Sequence, residues 1–62
     1  MIDYRVYRLD SEGHVLSRFD IKAADDGAAL LHAREQMAEH DLEVWQLDRL
    51  VGTLRVSELR AA

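Results

Sequence analysis

The side chains best suited to metal binding in this 62-residue chain are three histidines and twelve carboxylates. His32 and His40 are eight residues apart, so on a helix they lack the i, i+4 relation that lets two imidazoles bind one metal ion. His32 shares one helix face with Glu35 and Glu39, but zinc sites need three or four converging ligands. We interpret this trio as a solvated face, and we predict neither a metal site nor a cofactor.

No arrangement of nucleophiles or phosphate-binding residues indicates an enzyme. Asp25 and Asp26 stand directly before a helical pattern, where capping of the helix accounts for both carboxylates. No Ser or Thr stands beside a base and an orienting acid in a recognisable pattern, and the chain has no Cys. The glycines, at 13, 27 and 52, form no phosphate-binding loop. We therefore predict that the protein is not an enzyme.

The charge of the chain argues against nucleic acid as its partner. The formal net charge is −4, from 8 basic and 12 acidic residues, whereas binding to a phosphate backbone needs a basic excess. Tyr7 and Trp45 could still stack on the bases of a single strand, so this class stays open as an alternative. No apolar run is long enough to span a membrane and no signal-peptide pattern opens the chain, so we expect a cytoplasmic protein with no membrane partner.

One helix, predicted over Asp25–His40, organises the rest of the chain. Four of its residues fall on one side at helical spacing: Ala29, Leu30, Ala33 and Met37. Asp25 or Asp26 can cap its N-terminus. We expect this apolar side to pack against a sheet.

Alternating apolar residues predict two strands on each side of the helix. The first hairpin covers residues 2–9 and 14–23 with a turn at Asp10–Gly13, and the second turns at Leu47–Arg49. The result is a two-layer α+β domain of order β-β-α-β-β over residues 1–56, followed by a polar C-terminal tail at 57–62. We favour a β-grasp-like strand order, 2-1-4-3, with the first and fourth strands parallel at the centre. A different strand order is the alternative.

A single helix covers one face of such a sheet and leaves the other face apolar. We expect the covered face to contain Ile2, Tyr4, Val6, Val15, Phe19, Ile21, Leu42, Val44, Leu50, Leu54 and Val56. The opposite face is then left with Tyr7, Leu9, Leu16, Trp45, Leu47 and Val51. A contiguous apolar patch of this kind indicates an interface, and aromatic residues near an Arg are typical of interface centres. The alternative is that strand curvature or a bulge near Trp45 turns its side chain into the core and leaves only scattered apolar residues outside.

These patterns predict a non-catalytic protein–protein interaction module that self-associates through the uncovered face of its sheet. Two-fold homodimers are the commonest assembly, and a domain of this size without disulfides often gains stability by oligomerising. The alternative is a monomeric binding module, whose same face or sheet edge receives another protein or a single-stranded nucleic acid.

Short motifs along the chain also resemble a known family. They are Tyr4-Arg5-Val6-Tyr7, Leu9-Asp10, Gly13-His14, Ala24-Asp25-Asp26, Ala29, Ala33-Arg34, Glu43-Val44-Trp45-Gln46 and Arg49-Leu50-Val51. Over nearly its whole length, up to Leu54, the chain resembles a family of very short uncharacterised bacterial proteins abundant in alphaproteobacteria. That family commonly has a Glu before the helix alanine and a Gly after the Trp-Gln pair, where this chain has Ala28 and Leu47. The resemblance implies a single cytosolic domain, and it implies no activity or cofactor because the family has none assigned.

Overall fold

A computed structural model gives the structure of residues 1–60, and it confirms the predicted α+β class and the order β-β-α-β-β. The elements are β1 (Ile2–Leu9), β2 (Val15–Ala23), α1 (Asp26–Glu35), β3 (Asp41–Gln46), β4 (Arg49–Leu54) and α2 (Val56–Arg60). The four strands form one sheet with α1 packed on one face. The short helix α2 occupies most of the segment predicted as a polar tail, and residues 61 and 62 of that segment lie outside the described residues.

The strands lie in the order β2-β1-β3-β4, and each neighbouring pair is antiparallel. The favoured order 2-1-4-3, with β1 and β4 parallel, is therefore wrong. Leu42 and Val44 of β3 are fully buried, as expected for a central strand, whereas β4 contains no buried residue and lies at an edge. This order also shortens the crossover, since α1 carries the chain from β2 over β1 alone before it reaches β3.

Helix α1 runs over Asp26–Glu35 and is shorter than the predicted span Asp25–His40. Asp25 is the N-cap, and its Oδ1 accepts a hydrogen bond from the N–H of Ala28 at 2.8 Å. Gln36 ends the helix. The N–H groups of Gln36 and Met37 donate to the carbonyls of Ala33 and Arg34, three residues back. Such i→i−3 bonds tighten the last turn of a helix and end it there.

The core lies between α1 and the sheet face that this helix covers. Its buried members are Tyr4, Val6, Ile21, Ala23, Ala29, Ala33, Leu42 and Val44, with Phe19, Leu30, Met37, Val51 and Leu54 packed around them. Ala29 and Ala33 are fully buried, and their small size lets α1 approach the sheet. Leu30 lies over Gly52, where an added Cβ would be 3.0 Å from Leu30 Cδ2. Ile2, predicted for this face, is at the end of β1 and remains 39% exposed.

Asp10 closes the turn between β1 and β2 at the predicted place. Its Oδ1 accepts hydrogen bonds from the N–H groups of Glu12 and His14 at 2.8 and 2.9 Å. These bonds hold the pKa of the Asp10 carboxyl below its ordinary value, the bond from His14 most strongly. Gly13 adopts a φ of +85°, which glycine accepts without steric penalty.

Edge strand β2 contains a β-bulge close to this turn. Arg8 pairs with Ser17, but Leu9 pairs with Val15, so Leu16 is left without a partner. The extra residue reverses the alternation of side chains along β2. Val15, predicted for the core, therefore lies on the face opposite α1 and is 57% exposed.

The other edge strand, β4, contains a second bulge. Val44 pairs with Gly52 and Trp45 pairs with Leu50, which leaves Val51 unpaired. Val51 packs against the core, while Leu50 shares the face of Trp45 and is 47% exposed. The predicted faces of Leu50 and Val51 are thus both wrong, and the bulge is the reason.

Candidate interaction surface

The far face of the sheet, which is the face opposite α1, carries its side chains in four rows across the strands. From β2 toward β4 the rows are Val15, Leu9 and Asp41; Arg18, Tyr7, Glu43 and Thr53; Asp20, Arg5, Trp45 and Leu50; and Lys22 with Asp3. Charged side chains of alternating sign follow β2, while apolar side chains concentrate beside β3 and the turn that follows it.

Two aromatic residues on the central strands form the middle of the far face. Tyr7 pairs with Glu43 and Arg5 pairs with Trp45, so the two rings are diagonal neighbours across β1 and β3, within reach of each other. Trp45 Nε1 donates a hydrogen bond to Glu43 Oε1 at 3.2 Å, which holds the indole along the strand. Both aromatic residues are half-buried. The bulge in β4 therefore does not turn Trp45 into the core. It instead places Leu50 on the far face and Val51 against the core.

A shallow cleft of about 410 Å³ lies beside Trp45. It is lined by Tyr7, Val15, Glu43, Trp45, Leu47 and Asp48. A second, more polar depression of about 490 Å³ extends over β1 and β2 and shares Tyr7 and Leu47 with the first. Leu47 thus borders both depressions of the far face.

Leu47 occupies the first position of the two-residue turn between β3 and β4. Gln46 and Arg49 pair on either side of it, and tight hairpins that need a positive φ at this position use glycine. Leu47 has a φ of +56° and is the only non-glycine residue with a positive φ in the described chain. Its side chain is 88% exposed. Neither the turn nor the core therefore accounts for a leucine at this position.

The charged part of the far face is largely paired within the chain. Arg5 Nε lies 3.3 Å from Asp20 Oδ1, and Lys22 Nζ lies 3.5 Å from Asp3 Oδ1. The Tyr7 hydroxyl and then the Asp20 carboxylate raise the pKa of the Arg5 guanidinium. The rows contain three basic residues and four acidic ones, so the face is close to neutral although the chain carries −4.

Comparisons with protein-family models, curated proteins and solved structures find no match to this chain. The similarity to short alphaproteobacterial proteins accordingly stays a prediction.

The structure brings together only part of the residue set predicted for this surface. Tyr7, Trp45 and Leu47 lie at or beside the cleft. Leu9 is in register with the far face but only 8% exposed, so it adds little accessible surface. Leu16 is the exposed bulge residue of β2, and Val51 packs against the core.

The sequence pattern did not predict two members of the surface, Val15 and Leu50. Each of them is followed directly by the extra residue of a bulge, which changes the face on which its side chain lies. A glycine inside a strand pattern is a signal for a bulge, and Gly52 next to Val51 is such a signal in β4. The bulge at Leu16 has no comparable glycine beside it.

A polar cluster at the start of α1 was also missed. Asp26 accepts two hydrogen bonds from the Arg49 guanidinium, at 2.9 and 3.0 Å, and one from the Tyr4 hydroxyl at 2.9 Å. Hydrogen bonds from Arg49, and then from Tyr4, hold the pKa of the Asp26 carboxyl below its ordinary value. Asp25 thus caps the helix while Asp26 ties α1 to β1 and β4, so capping does not explain both carboxylates.

The residues considered for metal binding do not come together. Because α1 ends at Glu35, Glu39 does not extend the helix face that carries His32. Within the described residues, no three His, Asp or Glu side chains are grouped as ligands for a metal ion. Neither helix in this part of the chain has the length and apolar character needed to cross a membrane.

Proposed function

We propose that this protein is a cytoplasmic, non-catalytic protein–protein interaction module that forms a two-fold homodimer through the far face of its sheet. The observation that carries the proposal is the apolar patch formed by Tyr7, Val15, Trp45, Leu47 and Leu50 on the face opposite α1. A small domain gains nothing in stability from leucine and valine side chains exposed on this face, and such a patch is typical of an association surface.

The charges of the far face favour a second copy as the partner. A two-fold interface places the same surface on both sides, so a strongly charged face would repel its copy. Here Arg5 and Lys22 are already paired with Asp20 and Asp3, and the rows of the face are close to neutral. The rows of the face therefore add little like-charge repulsion between two copies, although Glu43 and Asp48 line the cleft. A highly charged partner finds little complementarity on this face.

The size of the face also suits a dimer. The molecule measures 30 × 25 × 16 Å along its principal axes, and the shortest axis fits the stacking of α1 on the sheet. The two longer extents limit the outline of the far face to roughly 750 Å², slightly below the 800 Å² or so per partner that stable interfaces bury, so a stable dimer has to use nearly the whole face.

The sheet edges are less suited to association than the face. Both edge strands carry a bulge, at Leu16 in β2 and at Val51 in β4. Bulges and charged side chains on edge strands oppose pairing with another strand, and β2 also carries Arg18, Asp20 and Lys22. Of the surfaces that the sheet offers, the far face is thus better suited to a partner than the edges.

Binding of single-stranded nucleic acid is the second candidate, and one observation favours it. Tyr7 and Trp45 lie as diagonal neighbours on the two central strands, an arrangement on which successive bases can stack. Two features oppose it: the Arg5 guanidinium is engaged by Asp20, and the face has no basic excess to attract a phosphate backbone.

Sedimentation velocity from low micromolar to near-millimolar concentration tests the proposal. We expect a monomer–dimer equilibrium in the wild type, and a folded monomer throughout the range for Trp45→Ala. Leu31→Ala is the matched control, because Leu31 is an exposed leucine on α1, on the other layer of the domain. A wild type that stays monomeric at all concentrations would refute self-association. Salt-dependent binding of single-stranded oligonucleotides by that monomer would support the second candidate.

A further inference from the structure

We infer that Leu47 is the anchor of this homodimer, with the Leu47 side chain of each copy inserted into the cleft that Tyr7, Val15 and Trp45 line on the other. The inference rests on the proposed self-association and identifies the residue through which the second copy is recognised.

The backbone of the turn is strained at Leu47. The φ of +56° at Leu47 is a conformation that leucine adopts at an energetic penalty and glycine at none. Strain of this kind concentrates where a side chain is needed for binding. Leu47 is 88% exposed, so within its own chain the side chain returns little packing energy for that penalty. A binding partner supplies the missing contacts.

The cleft next to Leu47 has room for a leucine side chain. Its volume of about 410 Å³ exceeds that of a leucine side chain. The rings of Trp45 and Tyr7 form apolar parts of its wall, and the acidic residues Glu43 and Asp48 also line it. Tyr and Trp, the aromatic residues of this cleft, are residue types that contribute most to affinity when a partner covers them. The cleft therefore suits a branched aliphatic side chain.

Leu47 and the cleft lie side by side on the far face. Leu47 lies at the rim of the cleft that Tyr7 and Trp45 line. In a two-fold interface, if residue i of one copy contacts residue j of the other, then j also contacts i. A projecting side chain beside its own cleft can thus form two equivalent contacts at once, one on each side of the axis.

The test compares Leu47→Asn with Leu31→Asn by sedimentation velocity. Asparagine tolerates a positive φ but has no aliphatic side chain, so Leu47→Asn keeps the turn and removes the anchor. We expect the dimer dissociation constant to rise about tenfold or more for Leu47→Asn, from the loss of a buried leucine, and to stay unchanged for Leu31→Asn. Thermal unfolding of the monomers checks that Leu47→Asn is folded.

A second measurement locates the contact directly. In a dimer mixed from isotopically labelled and unlabelled chains, isotope-filtered NMR should show cross-peaks between Leu47 methyl groups of one copy and the Trp45 ring of the other. A wild-type dimer that Leu47→Asn leaves intact, without these cross-peaks, would overturn the anchor while the proposed function stands. A wild type that remains monomeric would instead refute the proposed function and the anchor with it.

Discussion

Replacing Leu47 with glycine should make the monomer more stable, although it removes a hydrophobic side chain. The φ of +56° costs a residue with a Cβ about 1–2 kcal/mol, and glycine is free of this cost. Two smaller effects oppose the gain. Glycine adds conformational freedom to the unfolded chain, worth about 0.4–1 kcal/mol. The buried fraction of Leu47 is also lost.

That buried fraction is small because Leu47 is 88% exposed. Complete burial of a leucine contributes about 1.5–3 kcal/mol, so the loss here is only about 0.3 kcal/mol. The net stabilisation is then about 0.5 kcal/mol. For a domain of this size, 1 kcal/mol shifts the melting temperature by about 4–8 °C, and Leu47→Gly should therefore raise it by roughly 2–4 °C.

The assay is thermal unfolding followed by circular dichroism, at a concentration low enough that the protein is monomeric. This condition matters because association with a second copy stabilises the native state by mass action. Leu47→Ala is the matched control: it removes nearly the same side chain but retains the strained φ, so it should not stabilise the monomer. If Leu47→Ala raised the melting temperature as much as Leu47→Gly, the attribution to backbone strain would be wrong.

Two further perturbations test the remaining architecture. Because the pKa of Asp26 is lowered from the ordinary value of 3.8, the folded chain binds fewer protons than the unfolded chain. The stability from Asp26 is thus fully present above that value and is lost as the pH falls through the lower folded pKa. In urea unfolding, Asp26→Asn should lower the free energy of unfolding at neutral pH. The variant should also lose less of that free energy than the wild type when the pH is lowered. If both proteins lost the same amount in acid, the proposed stabilisation of the Asp26 carboxylate by Arg49 would be wrong. Leu42→Ala empties a fully buried position in β3 and should cost about 2–5 kcal/mol in urea unfolding. The exposed Leu31→Ala should change stability by no more than about 0.5 kcal/mol, and equal effects would contradict the assigned layers.

The alternation of residue types was sufficient to predict the layers of the fold. Tyr4, Val6, Leu42 and Val44 were assigned to the covered face, and all four are buried there. Period-two patterns report the face of a residue as long as the strand is regular. A single bulge residue reverses the pattern beyond it, which is why Val15 was assigned to the wrong face.

Strand order and helix length could not be predicted from the sequence, for two different reasons. Both sheet orders place the same residues on the covered face, and they differ only in which strands pair, which no local pattern records. The helical pattern continues from Glu35 to Met37 because Met37 does pack against the core, but it does so from the connection after α1. The Asp26–Arg49 pair joins residues distant in sequence, and only the folded chain shows it.

The central position of β1 affects how the domain can be assembled during synthesis. β1 and β2 are close in sequence, so their hairpin can form early, but the other side of β1 pairs with β3, where Arg5 meets Trp45. Until β3 has been made, that side of β1 presents unpaired backbone groups to any available strand. Long-range pairing of this kind closes slowly. We expect the sheet to form as one unit only after β3 is available, with the nascent hairpin most exposed to mispairing before that point.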